Sequence, residues 1–419
     1  MEKRLSESSR FVPNGFNEPP MNKIPIELVY FAVNRWDSIV QREQLLMMGL
    51  SKTYRILFID PPLSFLTILW GRLQGKKWRF RSSLQRINEK LVVYTPPAFP
   101  PFSQYFQWIN SFHTGLLVLL TKRLLKKLSF KDFILGIARP FLSPVIKKLH
   151  PLLSYYDCPD EYREFPGFRA DQRLLKKSEE DLLKSVDLVF CSSQWLREDK
   201  SHFNKNCFLI PNGVDLELFR NRDSDLENPS DMIGIKRPIL GYIGTVGEWL
   251  DFDTLKDLAR ARPDWSIVII GPSTSKRFYS IMKSSFNIHW LGEKEYHELP
   301  KYLRDFDVCL IPFKVNEFTK RIYPTKLHQY LAVGKPVVSS PLPDLEPFSS
   351  WVEFYTDAKE MEMKIEKSLK EDSEQKVLER KRVASKNTWD RRIESMVYIL
   401  DTFLSHRSEV EGGLRTADG

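Results

Sequence analysis

Cysteine is scarce. The chain of 419 residues has four, Cys158, Cys191, Cys207 and Cys309, and none form a C-x-x-C pair. That scatter argues against a zinc cluster or a disulfide framework and fits a reducing cytosol. Long apolar runs are lacking too. The longest, Gly115 to Thr121, is far short of the ~20 residues that cross a bilayer. Residues 1–22 are polar, carry no apolar core of signal-peptide length, and are read as a flexible leader. No H-E-x-x-H, G-x-S-x-G or Walker lysine loop occurs. Asp251 and Asp253 have D-x-D spacing but stand where a helix starts, so they are read as helix-start acids. No metal and no cofactor are therefore expected.

Acidic residues are nearly missing from one window. Residues 66–150 hold fifteen Lys and Arg against Glu89 and Asp132, a net charge of +13. The whole chain is at +9, so the remainder is near −4. A basic patch confined to one window suggests an anionic partner: a membrane, a nucleic acid or a polyanionic acceptor. No nucleic-acid module accompanies the charge, which makes nucleic acid the weakest of the three. Phe112 to Leu128 mixes leucines with Lys122, Arg123, Lys126 and Lys127. It reads either as an amphipathic helix on a membrane surface or as an ordinary surface helix with a solvated basic face. The charge asymmetry favours the membrane, and with it a place in the cytoplasm, peripheral on the inner face of the cell membrane.

The order of elements is that of α/β proteins. Short apolar strands are read at Glu27 to Val33, Arg55 to Ile59, Leu91 to Tyr94, Phe133 to Ala138, Leu152 to Tyr156, Asp187 to Cys191 and Cys207 to Ile210. Most are closed by Pro or Asp, with helical patterns between them, which indicates a parallel sheet covered on both faces. A second series begins near Pro238, with strands at Ile239 to Ile243, Ser266 to Ile270, Ile288 to Leu291, Val308 to Pro312 and after Pro336. Lys359 to Leu404 is helical and charged. The fold expected is two doubly wound Rossmann-like domains facing a cleft. Their expected bounds are 23–210 and 211–385, with a final helix at 386–404 and a flexible tail at 405–419. Ligands in such sheets lie at the carboxyl ends of strands, so the cleft is the default site.

Several strand mouths carry chemistry. Gly241 and Gly244, with Thr245, flank the exit of the first strand of the second series, where glycine lets backbone amides approach a phosphate or ribose. A turn at Pro324 leads into a short helix through Lys326 and Gln329 that stops at Gly334, and the helix entrance favours an anion. Lys320 and Arg321 stand just before it. In the first half, Asn34-Arg35-Trp36-Asp37 with Gln41 and Arg42 follows the opening strand. Two cations, an acid and an indole at one strand mouth suit a polar, partly planar or pyranose ligand. Asp157 and Asp160 follow a later strand, Asp160 reading equally well as a helix N-cap.

The run Tyr323-Pro324-Thr325-Lys326-Leu327-His328-Gln329-Tyr330-Leu331-Ala332-Val333-Gly334-Lys335-Pro336-Val337-Val338 resembles the donor segment of GT-B retaining glycosyltransferases of family four. That pattern is P-x-K-x-x-E-Y-L-A-x-G-K-P-V-V, with Gln329 here in place of Glu. Ile210-Pro211-Asn212-Gly213-Val214-Asp215 with Phe219 matches the same family's interdomain linker. Tyr156-Asp157-Cys158-Pro159-Asp160-Glu161-Tyr162, with Phe165-Pro166-Gly167 after it, is similar to a bacterial subgroup that includes teichuronic-acid-type enzymes. The resemblance implies sugar transfer from a nucleotide diphosphate sugar, weakly favouring UDP, to an acceptor hydroxyl, with retention and without a metal. Cell-surface polysaccharide or glycolipid synthesis, and a carbohydrate or lipid-linked acceptor, follow from it.

Site residues follow from the same resemblance. The family's Arg and Lys after the strand-end glycine fall near Thr245 and Leu250, so both cations are missing here. Lys326 first and Lys320 second are expected to neutralise the diphosphate, with Arg321, Pro324 and Trp249 on the donor side. Glu317 would hold the sugar, and Gln329 would accept from a ribose hydroxyl. Asp157 or Asp160 would bind acceptor or sugar hydroxyls. A catalytically silent GT-B subunit or membrane scaffold, and a nucleotide-sugar epimerase, are the alternatives.

Overall fold

The structure is a computed structural model that describes residues 26–73, 75, 78, 80–164, 171–220, 229–273 and 275–417. The leader expected at 1–22 lies outside these residues. The chain divides into two compact units. One holds the described residues to Arg163, those from 171 to Ile210, and the chain from Ile393 on. The other runs from Pro211 to Arg392, with Glu164.

The first unit is built on β1 (Glu27–Phe31), β2 (Arg55–Ile59), β3 (Ser83–Arg86), β4 (Leu91–Thr95), β5 (Phe133–Ile137), β6 (Leu153–Cys158), β7 (Leu188–Cys191) and β8 (Cys207–Leu209). Between them run α1 (Arg42–Leu50), α2 (Phe65–Leu73), α3 (Gln107–Leu128), α4 (Ser143–Leu149), α5 (Gln172–Ser185) and α6 (Gln194–Ser201). The sheet order is β3-β4-β2-β1-β5-β6-β7-β8, parallel except for β3 against β4. β5 is buried at every position, as a strand with helices over both faces must be.

The second unit holds α7 (Leu216–Arg220), β9 (Ile239–Ile243), α8 (Phe252–Ala261), β10 (Ser266–Ile270), α9 (Lys276–Ser284), β11 (Ile288–Trp290), α10 (Leu299–Asp305) and β12 (Val308–Ile311). It continues with α11 (Lys326–Val333), β13 (Val337–Ser339), β14 (Val352–Phe354), α12 (Ala358–Glu371) and α13 (Glu374–Ser385). Its order, β11-β10-β9-β12-β13-β14, is parallel throughout. The last helix, α14 (Trp389–Ala417), runs past the end expected at 404 and through most of the segment read as a tail.

Each sheet reverses its winding once. In the first the chain steps outward from β1 through β2 and then returns to β5; in the second it steps from β9 through β10 and β11 and returns to β12. Helices leave opposite faces on either side of that reversal, which opens a crevice at the strands' carboxyl ends. The reversals fall at the mouths of β1/β5 and of β9/β12, the places where open α/β sheets generally take ligands.

One expectation fails here. Phe112 to Leu128 belongs to α3, but the apolar side of that helix is not free for a membrane. Leu117, Val118 and Leu125 are buried in the first unit's core. Lys122, Arg123, Lys126 and Lys127 stand exposed on the outer side. This is the ordinary surface helix with a solvated basic face.

Candidate functional site

In the second unit the site begins with glycine. Gly244 closes β9 at φ 139° and Gly271 closes β10 at φ 139°, in the region that favours glycine. A Cβ on Gly271 would stand 2.2 Å from the Gly244 carbonyl oxygen, so the two strand exits approach as only a glycine at 271 permits. Gly244 N–H donates to the Ile270 carbonyl at 2.8 Å. Gly241 is different. It lies inside β9, and a Cβ there would strike the Phe306 ring at 1.8 Å. It packs the sheet and does not face a ligand, against expectation.

α11 is fastened over this mouth. The Tyr330 hydroxyl accepts from Ile243 N–H at 3.0 Å. Pro324 accepts from Leu327 N–H and shapes the entrance. Gly334 ends the helix at φ 86°. Lys326 is the first helical residue. Its Nζ lies 5.2 Å from the Tyr242 ring centre and 4.8 Å from that of Phe313, rings at the exits of β9 and β12. Its Cε is 3.2 Å from where a Cβ on Gly244 would be. No carboxylate or carbonyl among the described residues accepts from this ammonium. Burial lowers its pKa to about 8. The crevice thus contains a cation held on two π-faces, beside the glycine at the β9 exit and at a helix N-terminus that no side chain caps. Cation–π contact offsets part of the desolvation, and an anion would complete it.

The other donor-side residues are arranged less tightly. Lys320 and Arg321 both turn to Glu317, at 3.2 and 3.3 Å. Lys320 and Arg321 hold the Glu317 carboxyl below its usual range, and it stands in solvent. Trp249 is half-buried, 6.4 Å from the Phe318 ring centre. Thr245 is exposed, and its carbonyl accepts from the Tyr242 hydroxyl. Gln329 is buried one turn beyond Lys326, beside Tyr296. Leu250 is wholly buried in the second unit's core. Lys314, unremarked in the sequence, follows β12 and donates to the Glu248 carbonyl at 2.9 Å. Its position one strand exit from Lys326 was the available signal.

In the first unit the mouth of β1 is closed by a carboxylate that sequence reasoning missed. Glu43, next to Arg42 on α1, accepts from Val33 N–H at 2.7 Å and Asn34 N–H at 2.8 Å. Burial raises its pKa to about 7 despite these donors. Behind it Arg42 grips Asp157 through Nε and Nη2 at 3.0 and 2.9 Å and gives Nη1 to the Ile210 carbonyl. The Tyr30 hydroxyl donates to Asp157 at 3.0 Å. Asp157 is fully buried and Arg42 nearly so. Direct contact of either with a sugar is thus ruled out in this arrangement: they brace α1 against β6 and the chain's exit from β8. Asp160 is half-buried, and burial, strengthened by Asp157 and opposed by Arg42, brings its pKa to about 7. It caps no helix; α5 is capped by Asp171.

Arg35 pairs with Asp37 at 2.8 Å. Trp36 N–H donates to Asp60, and its ring meets Phe58 edge-on at 5.0 Å. Gln41 leads α1, its N–H donating to Gln44. The mouth of β5 carries Arg139, two residues beyond the strand. It has no ion-pair partner among the described residues. Burial lowers its pKa to about 10, although Glu43 stands in its field.

Comparison with known proteins defines the class. A Glycosyl transferase-like family model matches residues 253–398. A Bacillus subtilis protein described as a teichuronic acid biosynthesis glycosyltransferase, TuaH, is 26% identical over 321 residues, covering 66% of this chain and 80% of its own. Sucrose-phosphate synthase from Thermosynechococcus elongatus superposes with a TM-score of 0.67 at 13% identity, over 91% of this chain and 100% of its own. HepE of Anabaena, in complex with UDP and glucose, gives 0.63 at 13% identity, over 90% and 100%. The fold is that of GT-B glycosyltransferases, and the chain is a glycosyltransferase.

Proposed function

We propose that this glycosyltransferase moves a sugar from a nucleotide diphosphate sugar to an acceptor hydroxyl in cell-surface polysaccharide or glycolipid assembly, with retention and without a metal ion. The carrying observation is Lys326, an ammonium with no acceptor among the described residues, set beside Gly244 at the β9/β12 mouth. A departing diphosphate develops charge, and a preorganised cation in a partly dry site stabilises that charge more than water does. Lys326 meets the phosphates. Lys320 and Arg321 join it once the donor draws them from Glu317, and Glu317 is then free to orient the sugar. Gln329 offers its amide oxygen to a ribose hydroxyl. The first unit takes the acceptor at the β1/β5 mouth, lined by Arg35, Trp36, Asp37, Gln41 and Asp160.

Several supports are independent of Lys326. The TuaH likeness points to surface polysaccharide. HepE, described with UDP and glucose, supports a UDP sugar. Retention rests on the donor-segment resemblance, and so does independence of metal. The test is calorimetric titration with UDP and other nucleoside diphosphates, with and without EDTA, followed by transfer assays. Selective, EDTA-insensitive binding that Lys326→Met weakens supports the reading. Unchanged binding and turnover in that variant would overturn it. Binding of a nucleotide sugar without turnover on native membranes would favour a silent subunit instead, the reading that Gln329 and the missing cations at Thr245 and Leu250 invite.

A further inference from the structure

Exposed large apolar side chains are not spread evenly over this molecule. Thirteen of the twenty-two among the described residues fall within residues 65–119 of the first unit. α2 is the extreme case. Of its nine residues, FLTILWGRL, only Ile68 and Gly71 are buried. Leu69 is 53% exposed, Trp70 63% and Leu73 80%. A helix that buries one narrow stripe and shows tryptophan and leucine to water has an unpartnered face.

The face continues beyond α2. Ser64, just before α2, bridges Phe99, and Phe65 N–H donates to the Phe99 carbonyl. From there the chain turns at Phe102 into the start of α3, exposing Phe106, Trp108 (73%) and Phe112. All of it lies beyond the carboxyl ends of β2 and β4, the same end of the sheet as the β1/β5 mouth. Between face and mouth lies a hollow lined by Pro62, Phe99, Ser103, Asn110, His113 and Arg139. Buried His113 Nε2 finds no partner in it.

The rim is basic. Arg72 lies over the Phe80 ring at 4.8 Å, and Arg81, next in the chain to Phe80, is exposed. Lys76, Lys77 and Arg79 belong to the same stretch of sequence. Interfacial aromatics with leucine, bordered by Lys and Arg, match the boundary of an anionic bilayer: rings at headgroup depth, leucines below, cations on phosphates. A second copy of the chain fits worse, because it would set one basic rim against another.

We propose that α2 and the aromatic segment 102–112 seat the first unit on an anionic lipid bilayer, with the β1/β5 mouth turned to receive an acceptor from the lipid side. The last clause rests on the acceptor reading above; the docking does not. α3 contributes its first turns and not the leucine-rich stretch that its sequence advertises, since Leu117, Val118 and Leu125 of that stretch are core.

The test is sedimentation of the full chain with phosphatidylcholine vesicles with and without phosphatidylglycerol. Binding is expected only with phosphatidylglycerol, falling as salt rises. Brominated lipid should quench tryptophan emission, and Trp70→Phe with Trp108→Phe should remove most of that quenching. Leu69→Glu with Trp70→Glu should weaken vesicle binding at least about tenfold, and Arg72→Glu with Arg81→Glu should lower it on anionic vesicles. Every variant should keep the wild-type UDP-insensitive transition, which shows the first unit folded, and the wild-type UDP shift, which shows the second unit unaffected. Loss of binding in Lys122→Glu with Lys126→Glu, but not in the α2 variants, would overturn the proposal in favour of the outer face of α3. So would a dimer in solution that Trp70→Glu dissolves, which would make a second copy the occupant. No vesicle binding alongside a normal UDP shift defeats the docking and leaves the donor reading intact. Vesicle binding without any UDP shift does the reverse.

Discussion

Lys326 makes the sharpest case for reading a residue through its surroundings. Its free-state pKa of about 8 lies below the usual lysine value because burial penalises the ammonium. A diphosphate restores that charge and raises the pKa in the complex. Below about pH 8 the ammonium is already formed, so nucleotide affinity is expected to be flat. Above it binding must take up a proton, and the dissociation constant should weaken by roughly tenfold per pH unit until the complex's own pKa is reached. Calorimetry across pH checks this, and Lys326→Met should abolish the dependence while lowering kcat/KM roughly a hundredfold. The same linkage predicts that the ligand-free protein gains stability from Lys326 as pH rises from about 8 toward the unfolded value, because the folded pKa is the lower one. Asp157 shows the opposite outcome. Its motif is chemically suggestive, yet it is sealed in an ion pair with Arg42. Asp157→Asn leaves a buried guanidinium without its counter-charge, at a cost of about 3 kcal/mol, and should lower the urea midpoint without changing the UDP dissociation constant. Sequence places both residues at strand mouths. It does not tell which side chain turns outward, because period-two alternation ends where the strand ends.

At the scale of elements, the parallel strands were legible because strands buried on both faces are short unbroken apolar runs. β2, β9 and β10 have the bounds read from sequence. Elements without that signature were not read. β3, SLQR, is a polar edge strand that pairs through its backbone. α2 is nearly all apolar and so shows no helical stripe. α9 is amphipathic but short, nine residues. The stop at Gly334 was legible, and the reason it must be glycine comes from its neighbours. Its φ is 86°, and a Cβ would come within 2.7 Å of Val377 Cγ1 and 3.1 Å of Lys381 Cε on α13. Gly334→Ala is therefore expected to cost about 2 kcal/mol, read as a lower thermal midpoint. It should also weaken UDP binding several-fold, because α11 carries Lys326 at its other end.

At the scale of the whole molecule, the chain returns to where it began. α14 starts in the second unit and from Ile393 belongs to the first. There Asp401 accepts from the Tyr54 hydroxyl at 3.0 Å, and Phe403 meets Phe208 edge-on at 6.0 Å. Chain length and two series of strands suggested two domains, but no local pattern says which unit owns a terminal helix; that is settled by side chains far apart in the chain. Two units with separate cores need not unfold together, so a single transition is not the expectation. UDP should raise only the transition of the second unit, by about 2.7 kcal/mol at a hundredfold excess over its dissociation constant. Gly49 supplies a control in the first unit. A Cβ there would lie 1.9 Å from Ile393 Cδ1, the mobile end of a side chain, and 3.0 Å from its Cγ1. Gly49→Ala gains up to about 1 kcal/mol of helix propensity against that contact and should be nearly neutral. Gly49→Leu cannot be absorbed, and overpacking of α1 against α14 should cost about 2 kcal/mol. Calorimetric scans of this variant should show the UDP-insensitive transition moved down and the UDP-sensitive one in place. If both transitions moved together by the same amount, the two units would be one cooperative body, and a substitution beside α14 would be felt at Lys326.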